Sequence, residues 1–457
     1  MNTPSNQRRW SSRLMFFAAA IGSAVGISNI WKFTYVAGEN GGGAFVLVYV
    51  LAIAFVALPA LAAEFMIGRR GGASVQMTMD RLAGKDGISR AWRYYGLMAV
   101  SGAFLALSFY AVVAGWTIDY FFVAVSSGFD GFNTQQAGAS LASMLGSPGR
   151  MMISQAVFLG LTVAVVAAGV RRGLEQALKW MTPALFVILL ILLAYSVVEG
   201  DMRAALQFMF VADFSALNAN TVMMAVGQAF FSLGIGLGVL MTVAAYMDRE
   251  TSILGAAAVV AFADGFVALL AGLAIFPVVF ANGLSPAEGP GLIFATLPVA
   301  FGQIPGGWLV GPLFFLLMAF AALTSAITIL ETVVAWAEDY TRFNRRQLAC
   351  GIGIALWLTG LLTVFSFNAW SDFRLLPFVP ALADKTLFGI FDYVVSNLMM
   401  PAGGVAVAIL AGWSLSAAAS REEWGNGSAR AYHVWRFLVR YLVPIVIALI
   451  FLANMGG

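Results

Sequence analysis

"AAAIGSAVGISNIWKFTYVAGENGGGAF", residues 18–45, begins as an apolar helix and then places glycines, serines and an asparagine where an uninterrupted membrane helix has no use for them. An unbroken helix satisfies each backbone N–H and C=O internally and has none left for a ligand. Unwinding it inside the bilayer frees carbonyls for a cation and amides for an anion, and the dipoles of the two half-helices reinforce both effects. A break of this kind is worthwhile only if something charged binds there. The spacing of Gly22 and Gly26, like that of Gly234 and Gly238, also suits a small-xxx-small packing face. Ser23, Ser28 and Asn29 crowded into one turn, with GENGGG following at once, favour the broken helix, because a packing face does not require polar side chains in sequence.

The rest of the chain is just as apolar. Of its 457 residues 61% are hydrophobic and only 10% charged, with a mean hydropathy of +0.88, outside the range of soluble globular proteins. Apolar runs recur at or above the ~20 residues that a helix needs to cross a bilayer, and no ten-residue alternation points to a β-barrel. The expected class is an all-α membrane protein with about eleven spans, near 14–37, 43–68, 92–125, 151–170, 177–198, 219–246, 252–281, 308–338, 347–367, 387–415 and 434–453.

Charge orients these spans. Arg8, Arg9, Arg13, the stretches 69–93 and 171–179, residue 249, and 342–346 and 421–440 hold most of the 25 basic residues; the opposite loops carry Lys32, Arg150, Arg203, Arg374 and Lys385. The bias predicts a cytoplasmic N-terminus and, after an odd number of crossings, a C-terminus outside; the expected location is the inner (cytoplasmic) membrane. The same bias accounts for the pI near 9.0, so the basic balance does not point to a nucleic-acid partner. Single residues Cys350 and His433 give no disulfide framework and no His or Cys metal cluster, and no nucleophile and base pair suggests an enzyme. The first span has no convincing cleavage site and runs straight into GENGGGAF, so it is expected to stay in the mature protein.

A second interrupted span lies at FFSLGIGLG, residues 230–238, five spans after the first. Repeats of five crossings each run in opposite directions, which is the inverted-repeat pattern of secondary transporters. The chain is therefore read as one transporter domain over 1–457, with repeat one near 14–198, repeat two near 219–415 and an extra helix near 434–453. Residues 282–306 read as an outer helical hairpin capping the entrance, and 368–386 as a second outer loop.

GSAVGISNIWKF followed by GENGGGAF resembles the first-helix signature of the neurotransmitter:sodium symporter family. AAEFMIGRRGG (62–72), FYAVVAGWT (109–117), VGQAFFSLGIGLG (226–238), LLAGLAIFP (269–277), AALTSAITILE (321–331) and FDYVVSN (391–397) are similar to later family motifs in the same order. The resemblance implies the LeuT fold, a 5+5 inverted repeat with unwound helices 1 and 6. It also implies sodium-coupled import of hydrophobic L-amino acids, aliphatic or aromatic, by alternating access. Another small zwitterion or osmolyte is the alternative within transport; a channel or a non-transporting sensor is the alternative outside it.

By the same resemblance two Na+ sites are expected. The first takes the Ala24 carbonyl, Asn29, Ser232 and Asp264, completed by the substrate carboxylate; the second takes the carbonyls of Gly22, Val25 and Ala321 with the hydroxyls of Thr324 and Ser325. Read from the residues alone, Thr324 and Ser325 equally suit bonds back to their own helix carbonyls. Asp264, a carboxylate within an apolar span, is costly and functional by default; it implies that a fixed charge replaces chloride, the other reading being a bond to a neighbouring helix. The substrate carboxylate is expected to meet the Ile27 and Ser28 amides and the Tyr110 hydroxyl, and the ammonium the carbonyls of Ala24 and Phe231. Gly26 stands where monoamine transporters of the family carry an acid, which favours an α-amino acid.

Ala106, Phe231, Gly234, Leu237, Ser325 and Ile329 would line an apolar side-chain pocket, in which an unpaired charge is costly. Lys32 and Asp392 resemble an outer gate, with Tyr110 and Phe231 as its inner lid, though lysine lacks the bidentate geometry of arginine. Asp339 fits an inner gate braced by Trp10 and Tyr246; its arginine partner aligns with Gln7, so Arg8 or Arg9 is expected to substitute. Glu64 is expected to hold the unwound backbone of helices 1 and 6.

Overall fold

Apolar length decides where the chain crosses, and the polar interruptions decide where the crossings break. The computed structural model describes residues 10–289, 291–425 and 427–456. Among these, nine uninterrupted helices are long and apolar enough to span a bilayer: Gly43–Gly71, Arg90–Ser126, Pro148–Ala167, Val170–Glu199, Ile253–Ala281, Gly307–Tyr340, Arg345–Phe365, Leu387–Ser414 and Ala429–Leu452. A tenth crossing comes first in the chain, as Arg13–Ala24 and Ser28–Glu39, bent by 49° at the intervening break. The remaining crossing, sixth in order, is split into Ala219–Ser232 and Val239–Ala245.

The two breaks are built differently. In the first, Val25 leaves the helical region (φ −75°, ψ 103°), and the Asn29 Oδ1 accepts the Gly26 N–H at 2.9 Å in place of a helical carbonyl. The second runs through Leu233–Gly238, where Gly234, Gly236 and Gly238 have φ of +62°, +98° and +70°, a region that costs other residues roughly 1–2 kcal/mol each. Gly236 is needed twice over, since a Cβ there would lie 2.3 Å from the Met400 carbonyl oxygen of the tenth span.

The first span is wedged between the fifth, seventh and eighth, and the third and eighth pack along a long shared face. This puts both breaks at the centre of the helix assembly. The fifth span starts at Val170, seven residues before the expected 177, because Arg171 and Arg172 sit in its first, π-helical turn; long basic side chains can leave the apolar zone while their backbone stays helical.

Between Ala281 and Gly307 the expected hairpin is replaced by a single helix, Leu292–Gln303. Pro286 and the left-handed glycines 283 and 289 prevent a first arm. Among the described residues four further short α-helices lie between spans: Val75–Lys85, Thr134–Leu145, Met202–Phe210 and Ala417–Trp424. The second of these starts at a capping box formed by Asn133 and Gln136.

Candidate functional site

A cavity of about 470 Å³ opens at the two breaks. Its wall includes Ala24, Ile27, Ser28, Ala106, Tyr110, Phe231, Ser232, Gly234, Leu237, Ser325 and Ile329, and it extends outward to Leu141 and Leu145 of the short helix Thr134–Leu145. The ten residues expected around a substrate, and Ser232 of the first expected sodium site, are thus brought together. Phe109, Val239, Val395 and Met400 also line it; helix periodicity could have found Phe109 three residues after Ala106, whereas the tenth-span residues carry no local signal.

One side of the break holds a buried polar cluster. Asn29 Nδ2 donates to Ser232 Oγ (2.9 Å), to the Asp264 carbonyl (3.0 Å) and to Asp264 Oδ1 (2.7 Å), and the Ser232 hydroxyl lies 2.8 and 2.9 Å from the two Asp264 carboxylate oxygens. Asn29, Ser232 and Asp264 are buried, so water does not compensate the carboxylate and these side chains must. Asp264 does bond a neighbouring helix, and it does so at the polar centre of the protein.

The other side holds hydroxyls. Ser325 Oγ donates to the Ser23 carbonyl at 3.1 Å and reaches the Val25 carbonyl at 3.5 Å. Thr324 Oγ1 bonds back to the Phe320 and Ala321 carbonyls, both at 3.1 Å, as the local reading of that helix allowed. Gly22 faces it: a Cβ on Gly22 would stand 3.5 Å from Thr324 Cβ and 2.8 Å from Thr182 Oγ1. Gly22, Val25, Ala321, Thr324 and Ser325 therefore converge. Ser23, bonded by Thr328 Oγ1 at 2.8 Å, and Thr182, bonded to the Ala18 carbonyl at 3.2 Å, join this region unforeseen.

Gly26 leaves room between these two clusters, since a Cβ there would meet Ser325 Oγ at 2.7 Å and the Tyr110 hydroxyl at 3.5 Å. The Tyr110 hydroxyl donates to the Ala322 carbonyl at 3.4 Å. Above them Lys32 and Asp392 both line the cavity without pairing at contact distance. Lys32 Nζ sits 3.6 Å from the centre of the Phe231 ring, a cation–π arrangement, while Asp392 accepts the Ser396 hydroxyl at 2.8 Å.

At the opposite end Trp10 Nε1 donates to the Val243 carbonyl (2.9 Å) and its ring lies 6.0 Å from that of Tyr246. The Tyr246 hydroxyl donates to Glu331 at 3.1 Å, about two turns before Asp339 on the same helix. Glu331 in turn is bonded by Arg345. Asp339 accepts the Ser74 N–H at 3.1 Å; Gln7, Arg8 and Arg9 lie outside the described residues. Glu64 Oε1 accepts the Gly236 N–H at 2.8 Å, so its recorded partner belongs to the second break alone, and its other oxygen is buried without a hydrogen bond.

Two broken helices crossing at a polar centre, with a cavity beside them, define a helical membrane transporter. The comparisons give the same class. The description "Sodium:neurotransmitter symporter family" fits residues 7–130 and 132–454, and the chain belongs to that family. It is 37% identical over 451 residues to an uncharacterized sodium-dependent transporter, YhdH, of Bacillus subtilis (strain 168), covering 98% of each chain. It is 30% identical over 468 residues to an uncharacterized sodium-dependent transporter of Haemophilus influenzae, covering 100% of each. The crystal structure of MhsT in complex with L-phenylalanine matches with a TM-score of 0.89 at 37% identity, over 98% of this chain and 99% of that one.

The chain is therefore a multi-pass, sodium-dependent symporter with the LeuT fold, built to carry a small molecule and not to catalyse a reaction.

Proposed function

We propose that the chain imports hydrophobic L-amino acids, aliphatic or aromatic, with two sodium ions, independently of chloride. The observation that carries this reading is the cavity between the Asn29–Ser232–Asp264 cluster and the Ser325–Val25 contact, lined elsewhere mainly by apolar and aromatic side chains, with Lys32 and Asp392 at its outer end. One sodium would bind among Ala24, Asn29, Ser232 and Asp264, with the substrate carboxylate as a further oxygen. The Asn29 amide now turns its nitrogen toward Asp264; a cation among these oxygens favours the flipped amide, Oδ1 inward. A second sodium would bind among Gly22, Val25, Ala321, Thr324 and Ser325.

The substrate carboxylate would meet Ile27, Ser28 and Tyr110, and the ammonium the carbonyls of Ala24 and Phe231. The L-phenylalanine bound by MhsT is of the size and character that this lining suits. The bundle of spans 1, 2, 6 and 7 would rock against the remaining scaffold of the two repeats, near 14–198 and 219–415, with Lys32 and Asp392 closing the outer side and Trp10, Tyr246 and Asp339 the inner, where Arg8 or Arg9 would pair with Asp339. The N-terminus would lie in the cytoplasm and the C-terminus outside, on the distribution of basic residues, and the inner (cytoplasmic) membrane is the location its bacterial sodium-dependent relatives suggest.

A thermal-stability screen of the purified protein against all proteinogenic amino acids and a set of non-proteinogenic zwitterions, in sodium and in potassium and with chloride replaced, tests the proposal. Hydrophobic amino acids should raise the melting temperature in sodium with either anion. Stabilisation by charged amino acids, or by a non-proteinogenic zwitterion alone, would replace this substrate class with the alternative.

A further inference from the structure

Glu422 and Glu423, in the helix Ala417–Trp424 that joins the tenth and eleventh spans, turn toward the second span. Arg70 contacts Glu422 at 2.8 Å and Glu423 at 3.3 Å, and Arg69 contacts Glu423 at 2.9 Å. Arg70 also forms a two-pronged pair with Asp86, and its hydrogen bonds hold the Glu422 carboxyl below the usual carboxylate range. The acids of this connection are thereby committed, which leaves its arginines without them. Arg436 bonds the hydroxyls of Ser420 (2.6 Å) and Tyr432 (2.9 Å) and the Leu415 carbonyl, and Arg421 lies on the Tyr432 ring beside His433.

Arg440 is the most exacting case, because it lies within the eleventh span and no carboxylate stands within 4 Å of it among the described residues. Its guanidinium stacks 4.4 Å from the Trp413 ring and 5.9 Å from that of Tyr441, and its Nε is buried without an acceptor. The seat is built for it. Gly412 lets the backbone of Arg440 approach, since a Cβ there would stand 3.2 Å from Arg440 Cα and 3.4 Å from its N, and Trp413 Nε1 donates to the Arg440 carbonyl at 3.2 Å. Both residues occupy π-helical turns, Leu410–Ser414 and Leu438–Leu442, a distortion that recurs at functional sites. Trp413, Phe437 and Tyr441 are exposed on the outside of the helix assembly, where lipid surrounds a membrane protein.

We propose that Arg440, stacked on Trp413 and helped by Arg436 one turn away, binds the phosphate of an anionic glycerophospholipid whose chains run along Phe437 and Tyr441. A cation within a span requires a counter-charge, the chain supplies none here, and the exposed aromatic rings match the headgroup boundary. Contact of this connection with Arg69 and Arg70 puts the site on the same membrane face as the N-terminal segment, which is the basic face of the protein.

Native mass spectrometry of the full-length protein in detergent, with phosphatidylglycerol or phosphatidylcholine added, tests this without any transport measurement. The wild-type protein should retain phosphatidylglycerol in clear preference. Arg440→Gln should reduce that preference about fivefold, and Arg440→Lys should keep most of it. Equal retention of the two lipids by the wild-type protein, an unchanged preference in Arg440→Gln, or a loss in Arg440→Lys equal to that in Arg440→Gln would each overturn the assignment. The wild-type comparison decides by itself if Arg440→Gln fails to fold.

Discussion

Asn29 and Asp264 stand 235 positions apart in the chain and meet through a 2.7 Å hydrogen bond that ties the first break to the middle of the seventh span. Ser232, at the edge of the second break, completes the triangle. Three crossings thus converge on one buried carboxylate.

Asp264→Asn removes a full negative charge from that point while keeping its size. A unit charge about 4 Å from a cation is worth roughly 1–4 kcal/mol between bulk water and a protein-surface environment. The concentration of sodium that half-saturates amino-acid binding should rise tenfold or more, or binding should become dependent on chloride. A sodium titration followed by equilibrium binding, in chloride and in gluconate, measures both; an unchanged half-saturation in both anions removes Asp264 from the site.

Tyr110→Phe deletes one hydroxyl beside the space left by Gly26. A lost hydrogen bond to a charged group costs about 1.5–3 kcal/mol, so amino-acid affinity should fall at least tenfold. The melting temperature without substrate should barely move, since the present bond to the Ala322 carbonyl is long at 3.4 Å. Unaltered affinity would show that the substrate carboxylate does not use this residue.

Gly234 and Gly236 are both left-handed, but their surroundings differ. A Cβ on Gly234 meets nothing within 4 Å and would point into open space, whereas one on Gly236 meets the Met400 carbonyl at 2.3 Å. Gly234→Ala should cost about 1–2 kcal/mol of stability and weaken aromatic substrates more than alanine or valine. Gly236→Ala should be the more severe, with little folded protein recovered. Thermal unfolding of the two side by side checks the order; equal damage would mean that φ alone, and not the packing of the tenth span, sets the cost.

Glu64→Gln keeps the oxygen that accepts the Gly236 N–H and should be tolerated, because the other carboxyl oxygen has no hydrogen bond to lose. Glu64→Leu strands a buried N–H and should cost about 1–3 kcal/mol. Comparable melting temperatures for the two variants would deny Glu64 its hold on the second break.

The first break was legible because its polar residues lie next to one another in sequence, and Asn29 supplies the local bond that replaces a helical one. The second was legible through its glycines, which at three positions adopt a conformation that other residues avoid. What could not be read were contacts that the sequence separates. Thr182 reaches Ala18, and Thr328 reaches Ser23, across distances that no local pattern encodes. The hairpin expected over 282–306 failed for a local reason, since glycines 283 and 289 and Pro286 interrupt its first arm.

Uptake of radiolabelled L-phenylalanine into proteoliposomes, with an inward sodium gradient or with potassium in its place, tests the central claim most directly. Saturable accumulation above the external concentration is expected in sodium and none in potassium. Equal uptake in both cations would contradict it.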